Sequence, residues 1–168
     1  MQTNSDECLR ATLDALERKV SADSNTFRDA AKTFEVELGE SMGLTREQRA
    51  ELWQSYQAVW DARKALVAER QSRSEAAKRA YQNELESLDY SHDGLPILQD
   101  FSNWARVGDK VRTSRARVIG IQARIKGDGN LLPPDRRELR DAIDTIWDKI
   151  RQSEEVTFSV HRERAERL

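Results

Sequence analysis

The sequence predicts an all-α protein, an elongated antiparallel bundle of three to four long helices with coiled-coil-like packing. Three observations carry this expectation. Apolar residues recur at seven-residue intervals along most of the 168 residues, the pattern of helices packed side by side at shallow angles. Charged residues make up 35% and hydrophobic ones 38% of the chain, a balance that suits narrow apolar seams on long helices. Seven glycines and three prolines are too few for a turn-rich β fold. The chain is read as one elongated domain over 1–168, with tandem hairpins 5–88 and 97–166 as the alternative division.

The first helical segment runs from Ser5 to Leu38. Leu9, Leu13, Leu16 and Val20 repeat at helical spacing, and Phe27 and Phe34 continue the register. The polar stretch Ser21 to Asn25 offers side chains that compete for backbone hydrogen bonds, so one helix or two are both compatible with it. Gly39 and Gly43 stop this segment. Thr45 followed by Gln48 has the spacing of a capping box and opens the second segment, which reads on to Leu88. Trp53, Trp60, Val67, Tyr81 and Leu88 fall on one seven-residue stripe, with Ser74 as its only polar member.

Tyr90 to Pro96 is a loop by composition. After it, Ile97, Trp104, Val111, Val118 and Ile125 keep strict intervals of seven. Gly127 to Asn130 closes that helix, and Pro133-Pro134 suits the start of another. The last helix carries Leu139, Ile143, Ile146 and Ile150, and thins through Ser153 and Thr157. The second and fourth segments also match at an offset of 87: Leu44, Arg49, Glu51, Leu52, Val59, Trp60 and Asp61 pair with Leu131, Arg136, Glu138, Leu139, Ile146, Trp147 and Asp148. A duplicated helical hairpin accounts for that match.

The stretch Ile121-Gln122-Ala123-Arg124-Ile125-Lys126-Gly127, continuing into Leu132-Pro133-Pro134 and Arg137-Glu138-Leu139, resembles the first half of the repeat of a bacterial helical repeat family of unknown function. Glu51-Leu52-Trp53-Gln54-Ser55-Tyr56 resembles the second half. Ile125 and Arg140 stand where that family usually has Trp. The resemblance covers residues 44–80 and 120–160, implies a helical repeat, and carries no catalytic residue over to this chain.

The chemistry-bearing residues are sparse. Cys8 is the only cysteine, so no intramolecular disulfide forms and a reducing compartment is expected. Asp6 and Glu7 disfavour its thiolate, and a structural, buried or half-buried role is expected for it. His92 and His161 lack ligand-type neighbours at metal spacing. Gly127-Asp128-Gly129-Asn130 puts a carboxylate where a phosphate loop needs none, and no Glu-x-x-His motif supports a di-metal site. No catalytic residue, metal or cofactor is expected, nor an enzyme. Met1 to Asp6 is polar, the apolar runs are short, and a cytoplasmic protein without a membrane partner is expected.

Charge and aromatic placement supply the functional candidates. Residues 1–40 hold nine acids and five bases, whereas residues 101–127 hold seven bases and the single acid Asp109. Lys110, Arg112, Arg115, Arg117, Arg124 and Lys126 therefore form the candidate nucleic-acid contact. Pairing of these bases with acids of a neighbouring helix, such as Asp141, Asp144 and Asp148, is the competing expectation. Trp53, Tyr56 and Trp60 form the candidate protein contact, an aromatic face wider than one seam covers. Arg63, Arg70 and Arg73 interrupt the second helix, where a partner or second copy is expected to pack. The leading expectation is a non-enzymatic scaffold or adaptor for protein–protein interaction, self-association included; RNA or DNA binding through 110–126 is the alternative.

Overall fold

The computed structural model describes residues 3–88 and 101–166, and every regular element among them is a helix. These are α1 (Thr3–Glu17), α2 (Ser24–Glu40), α3 (Arg46–Glu86), α4 (Phe101–Gly127) and α5 (Pro133–Ala165). Among the described residues the helices number five rather than three to four, because the first periodic segment breaks. Asp23 makes the break. Its φ of −62° and ψ of 162° leave the helical region, and its carboxylate accepts the N–H groups of Asn25 and Thr26 at 3.0 Å. Those amides have no partner inside a helix that starts there, and such a cap is worth about 1 kcal/mol.

The next turn depends on Gly43, whose φ of 116° is a conformation that disfavours any Cβ. Thr45 N–H then donates to Gln48 Oε1 at 2.9 Å and Gln48 N–H donates to Thr45 Oγ1 at 3.2 Å. This is the reciprocal capping box expected from the sequence. Pro133 is the first residue of α5, where its missing N–H costs nothing. The expected loop at 90–96, His92 and Ile97 lie outside the described residues.

The chain divides into two compact units, Met1–Glu69 and Arg70–Leu168, and the division falls inside α3. In the first unit, Leu9, Leu13 and Leu16 of α1 meet Phe27, Ala31, Phe34 and Leu38 of α2 and Leu52, Tyr56 and Val59 of α3. The contacts Phe34–Tyr56 and Leu38–Arg49 run α2 against α3, while Arg10–Glu51 and Val20–Arg63 run α1 along it. In the second unit, Leu85 and Leu88 meet Val111, Val118, Ile121 and Ile125 of α4 and Leu139, Ile143, Ile146 and Ile150 of α5. Here Glu84–Arg124 and Ser87–Arg117 run α4 against α3, and Ser74–Asp135 with Lys78–Glu138 run α5 along it. Each unit is thus a core made by three helical segments in the same order of directions.

The buried positions repeat as well. Phe27, Ala31, Phe34 and Leu38 of α2 stand 87 residues before Ser114, Val118, Ile121 and Ile125 of α4, and all eight are buried. Leu52, Tyr56, Val59 and Arg63 of α3 stand 87 before Leu139, Ile143, Ile146 and Ile150 of α5, again all buried. Arg49 donates to the carbonyls of Leu38 and Ser41 at 2.9 Å each, and its counterpart Arg136 donates to Asp128 O, the counterpart of Ser41, at 2.7 Å. The two arginines tie the same loop in each copy.

One seam departs from the expectation. In the first part of α3 the buried residues are Leu52, Tyr56, Val59 and Arg63, whereas Trp53 and Val67 of the expected stripe are exposed. A straight helix drifts about 20° per heptad against a seven-residue repeat. Over the 41 residues of α3, one such stripe cannot stay on the core. It flanks the first core at Trp60 and reaches full burial only in the second unit, at Ser74 and Leu88, with Tyr81 packed beside them.

Candidate functional site

The aromatic candidates of the first unit separate by depth. Tyr56 is 3% exposed, stacks on Phe34 at 5.1 Å and donates its hydroxyl to Glu35. Burial first, and that bond second, push its pKa up to about 12. Trp60 packs edge-on against Phe27 at 5.0 Å and lines the core. Tyr56 therefore offers no surface, and Trp60 offers little. Trp53 differs: its indole lies 5.3 Å from the Tyr56 ring and is 45% exposed. The Phe34–Tyr56 and Leu38–Arg49 contacts fix the register of α2 and α3, which sets Val36, 48% exposed, level with Trp53. An exposed Trp and an exposed Val thus sit at one level of adjacent helices.

The basic residues of α4 are dispersed among internal partners. Arg124 pairs with Glu84 at 2.6 Å and lies 5.8 Å from the Tyr81 ring centre. Arg115 pairs with Glu154 at 3.2 Å and lies 5.8 Å from the Trp147 ring. Arg117 donates to Ser87 Oγ at 3.2 Å, and Arg112 meets Asp109 within its own helix at 3.5 Å, both largely exposed. Lys126 is exposed and forms no ion pair among the described residues. The side chain of Lys110 lies outside the described residues. Among the described residues, the acids of other helices that pair with this one are Glu84 and Glu154; Asp148 pairs instead with Arg151.

Lys126 does have cationic neighbours. Between α4 and α5 a groove of about 430 Å³ is lined by Ala123, Ile125, Lys126, Arg136, Arg140 and Ile143, among others, and none of its lining residues is acidic. Arg136 is held on its loop carbonyls, with its Nε buried and without a hydrogen-bond partner. Arg140, like Lys126, makes no ion pair or hydrogen bond among the described residues. Sequence reasoning placed Lys126 on a basic helix and missed its convergence with Arg136 and Arg140. The 87-residue match was the available signal, because it sets Arg140 opposite Trp53 and Ala123 opposite Val36.

Two polar residues proved structural. Arg63, expected where a partner packs, is 7% exposed; its guanidinium donates to Val20 O and, at 2.7 Å, to Ala22 O, and lies 5.2 Å from the Phe27 ring. It satisfies the carbonyls just past α1, a role basic side chains take at helix C-termini. Ser74 is fully buried; its hydroxyl accepts Leu132 N–H at 2.8 Å and donates to Asp135. The Ser74 hydroxyl, then the Lys78 ammonium, hold the Asp135 carboxyl below its ordinary range. Cys8 is exposed, contrary to the burial expected of it, because α1 turns Leu9 rather than its neighbour inward.

Among the described residues no group of three or more His, Cys, Asp and Glu side chains is placed to hold a metal ion. The His161 side chain lies outside them. No helix among them is long and apolar enough to cross a membrane. No protein-family model matches the chain, and no curated protein or solved structure matches it either.

Proposed function

We propose that the chain is a non-enzymatic scaffold that binds other proteins, its helices packed as a coiled-coil-like bundle within each unit. One observation carries this reading: Trp53 is 45% exposed on α3, and the α2–α3 register sets Val36, 48% exposed, at the same level. Trp is enriched among residues that dominate interface energies, and truncating one at an interface centre costs about 2 kcal/mol or more. Tyr56 beneath it is fixed by Phe34 and Glu35, so the indole is presented with little side-chain freedom left to lose. Self-association through this face belongs to the same reading. Nucleic-acid binding is the weaker alternative, because Arg115 and Arg124 already hold Glu154 and Glu84.

The test is affinity capture from source cells with the natural chain and with Trp53→Ala, read by quantitative mass spectrometry, together with sedimentation of each. Specific proteins lost from the Trp53→Ala sample, or a dimer that dissociates, are the expected results. A monomer that captures nothing, or a captured set that ignores the substitution, overturns the proposal.

A further inference from the structure

The internal repeat supplies a control for the α4–α5 groove, because the first unit holds the same positions with other residues. Glu35, Gly39 and Trp53 have Gln122, Lys126 and Arg140 as counterparts in the groove lining. The equivalent places thus go from one acid and one base, Glu35 and Arg49, to the bases Lys126, Arg136 and Arg140 with no acid. The retained arginine is also held differently. Arg49 donates through Nη1 to Leu38 O and through Nη2 to Ser41 O, whereas Arg136 reaches both Asp128 O and Leu131 O through Nη2. The Arg136 Nε is buried and has no partner, and buried donors are normally met by protein, water or an ion. Three neighbouring acids are held elsewhere: Asp128 accepts the Tyr81 hydroxyl at 3.1 Å and Asn130 N–H at 2.8 Å, while Asp135 and Glu138 hold Lys78.

We infer that this groove binds a compact oxyanion of the phosphate class carrying two or more negative charges, of which pyrophosphate is the simplest. Lys126, Arg136 and Arg140 supply the positive charge and the Gln122 amide a neutral donor. A cleft lined by one sign of charge concentrates counter-ions, and a guanidinium fork matches phosphate oxygens bidentately. The volume of about 430 Å³ falls in the range of small-ligand sites. Ile125 and Ile143 lie beneath at 5% and 1% exposure, so the occupant meets charge and amide rather than apolar surface. The unpaired cations also gather at one place. Farther along α4, Arg115 is held by Glu154, and on its α3 side Arg124 is held by Glu84. Lys126 and Arg140 therefore form a spot, not the tract of bases that follows a polymer's phosphates. The inference goes beyond the scaffold reading and makes no use of the Trp53 face.

The test is isothermal titration calorimetry of the full chain with sodium pyrophosphate, in a zwitterionic buffer at low salt and without divalent cations. Binding of a single ion per chain with a Kd below about 1 mM is expected, weakening as sodium chloride is added because exposed charges are screened. The combination Gln122→Glu, Lys126→Gly and Arg140→Trp, which installs the first unit's residues, should weaken it at least about tenfold. If that variant disturbs far-ultraviolet circular dichroism, Lys126→Gln and Arg140→Gln serve singly, each with a loss of about threefold or more. Binding that is undetectable, that acetate matches, or that these variants leave unchanged overturns the inference. A phosphoserine peptide that binds more tightly than pyrophosphate moves the oxyanion onto a partner protein, and an oligonucleotide that does so at the same residues makes the groove part of a nucleic-acid surface; either result overturns it too. Pyrophosphate binding must survive Trp53→Ala, so failure here and failure of the scaffold reading are told apart.

Discussion

Arg63 and Ile150 hold equivalent places in the two cores, both buried, and the substitution Arg63→Ile asks what the charge contributes. Isoleucine fits the level in the second unit and brings apolar area. It abandons the carbonyls of Val20 and Ala22, which the guanidinium now serves, and the cation–π contact with Phe27 at 5.2 Å. A carbonyl left without its charged donor costs about 1–3 kcal/mol. Both residues are half-buried, so water reaches them in part and the low end applies. Adding about 1 kcal/mol for the cation–π contact brings the loss to roughly 3 kcal/mol. For a chain of this size that lowers Tm by about 6–12 °C. Urea unfolding of the natural chain and the variant, followed by circular dichroism and by Trp fluorescence, measures it; Trp60 beside Phe27 reports on the affected core. Arg63→Lys, which keeps the charge and loses the fork, should fall between the two. A loss below about 1 kcal/mol, or a gain, refutes the capping role and the reasoning behind it.

Raising the pH tests Tyr56: a pKa moved from 10 to about 12 gives stability fully present below pH 10 and lost as pH climbs to 12. The total is about 3 kcal/mol at 1.36 kcal/mol per unit, and Tyr56→Phe should flatten that decline in urea unfolding at pH 9 and 11.5. Ser74→Ala removes the main bond that lowers the Asp135 pKa, so it should cost about 1–2 kcal/mol at neutral pH. Asp135 contributes stability that is present above its ordinary pKa and lost as pH falls through the lowered one; acid unfolding of Ser74→Ala should begin at higher pH. Trp53→Ala, at an exposed site, should change unfolding free energy by about 1 kcal/mol or less while altering partner capture. Anisotropy titration of a structured RNA should give a log–log salt slope of about 2 or less in magnitude, and a slope of several restores the nucleic-acid reading.

The seams of α2, α4 and α5 were legible because burial on those helices follows the spacing of Phe, Val, Ile and Leu closely. So were the caps: Thr45 with Gln48 closes as its spacing predicts, and Asp23 sits in the polar stretch that was open to a break. The buried face of α3 was harder to see. Its core includes Arg63 and Ser74, whose burial depends on Val20, Ala22, Leu132 and Asp135 in other elements. Spacing along one helix carries no trace of those partners. The same holds for the basic helix: Glu84 and Glu154 lie on α3 and α5, and only packing brings them to Arg124 and Arg115. The groove was half legible, its counterpart positions being fixed by the repeat and its cations by neither helix alone.

The helix that finishes one core begins the next. Among the described residues, two cores of three segments are therefore assembled from five helices, where independent ones would take six. On this plan each added core needs two more helices, so growth is cheaper in chain than duplication of whole domains. The shared helix also leaves each core holding only part of α3. Melting either one strips partners from half of α3, and a helix deprived of tertiary contacts is marginal in water.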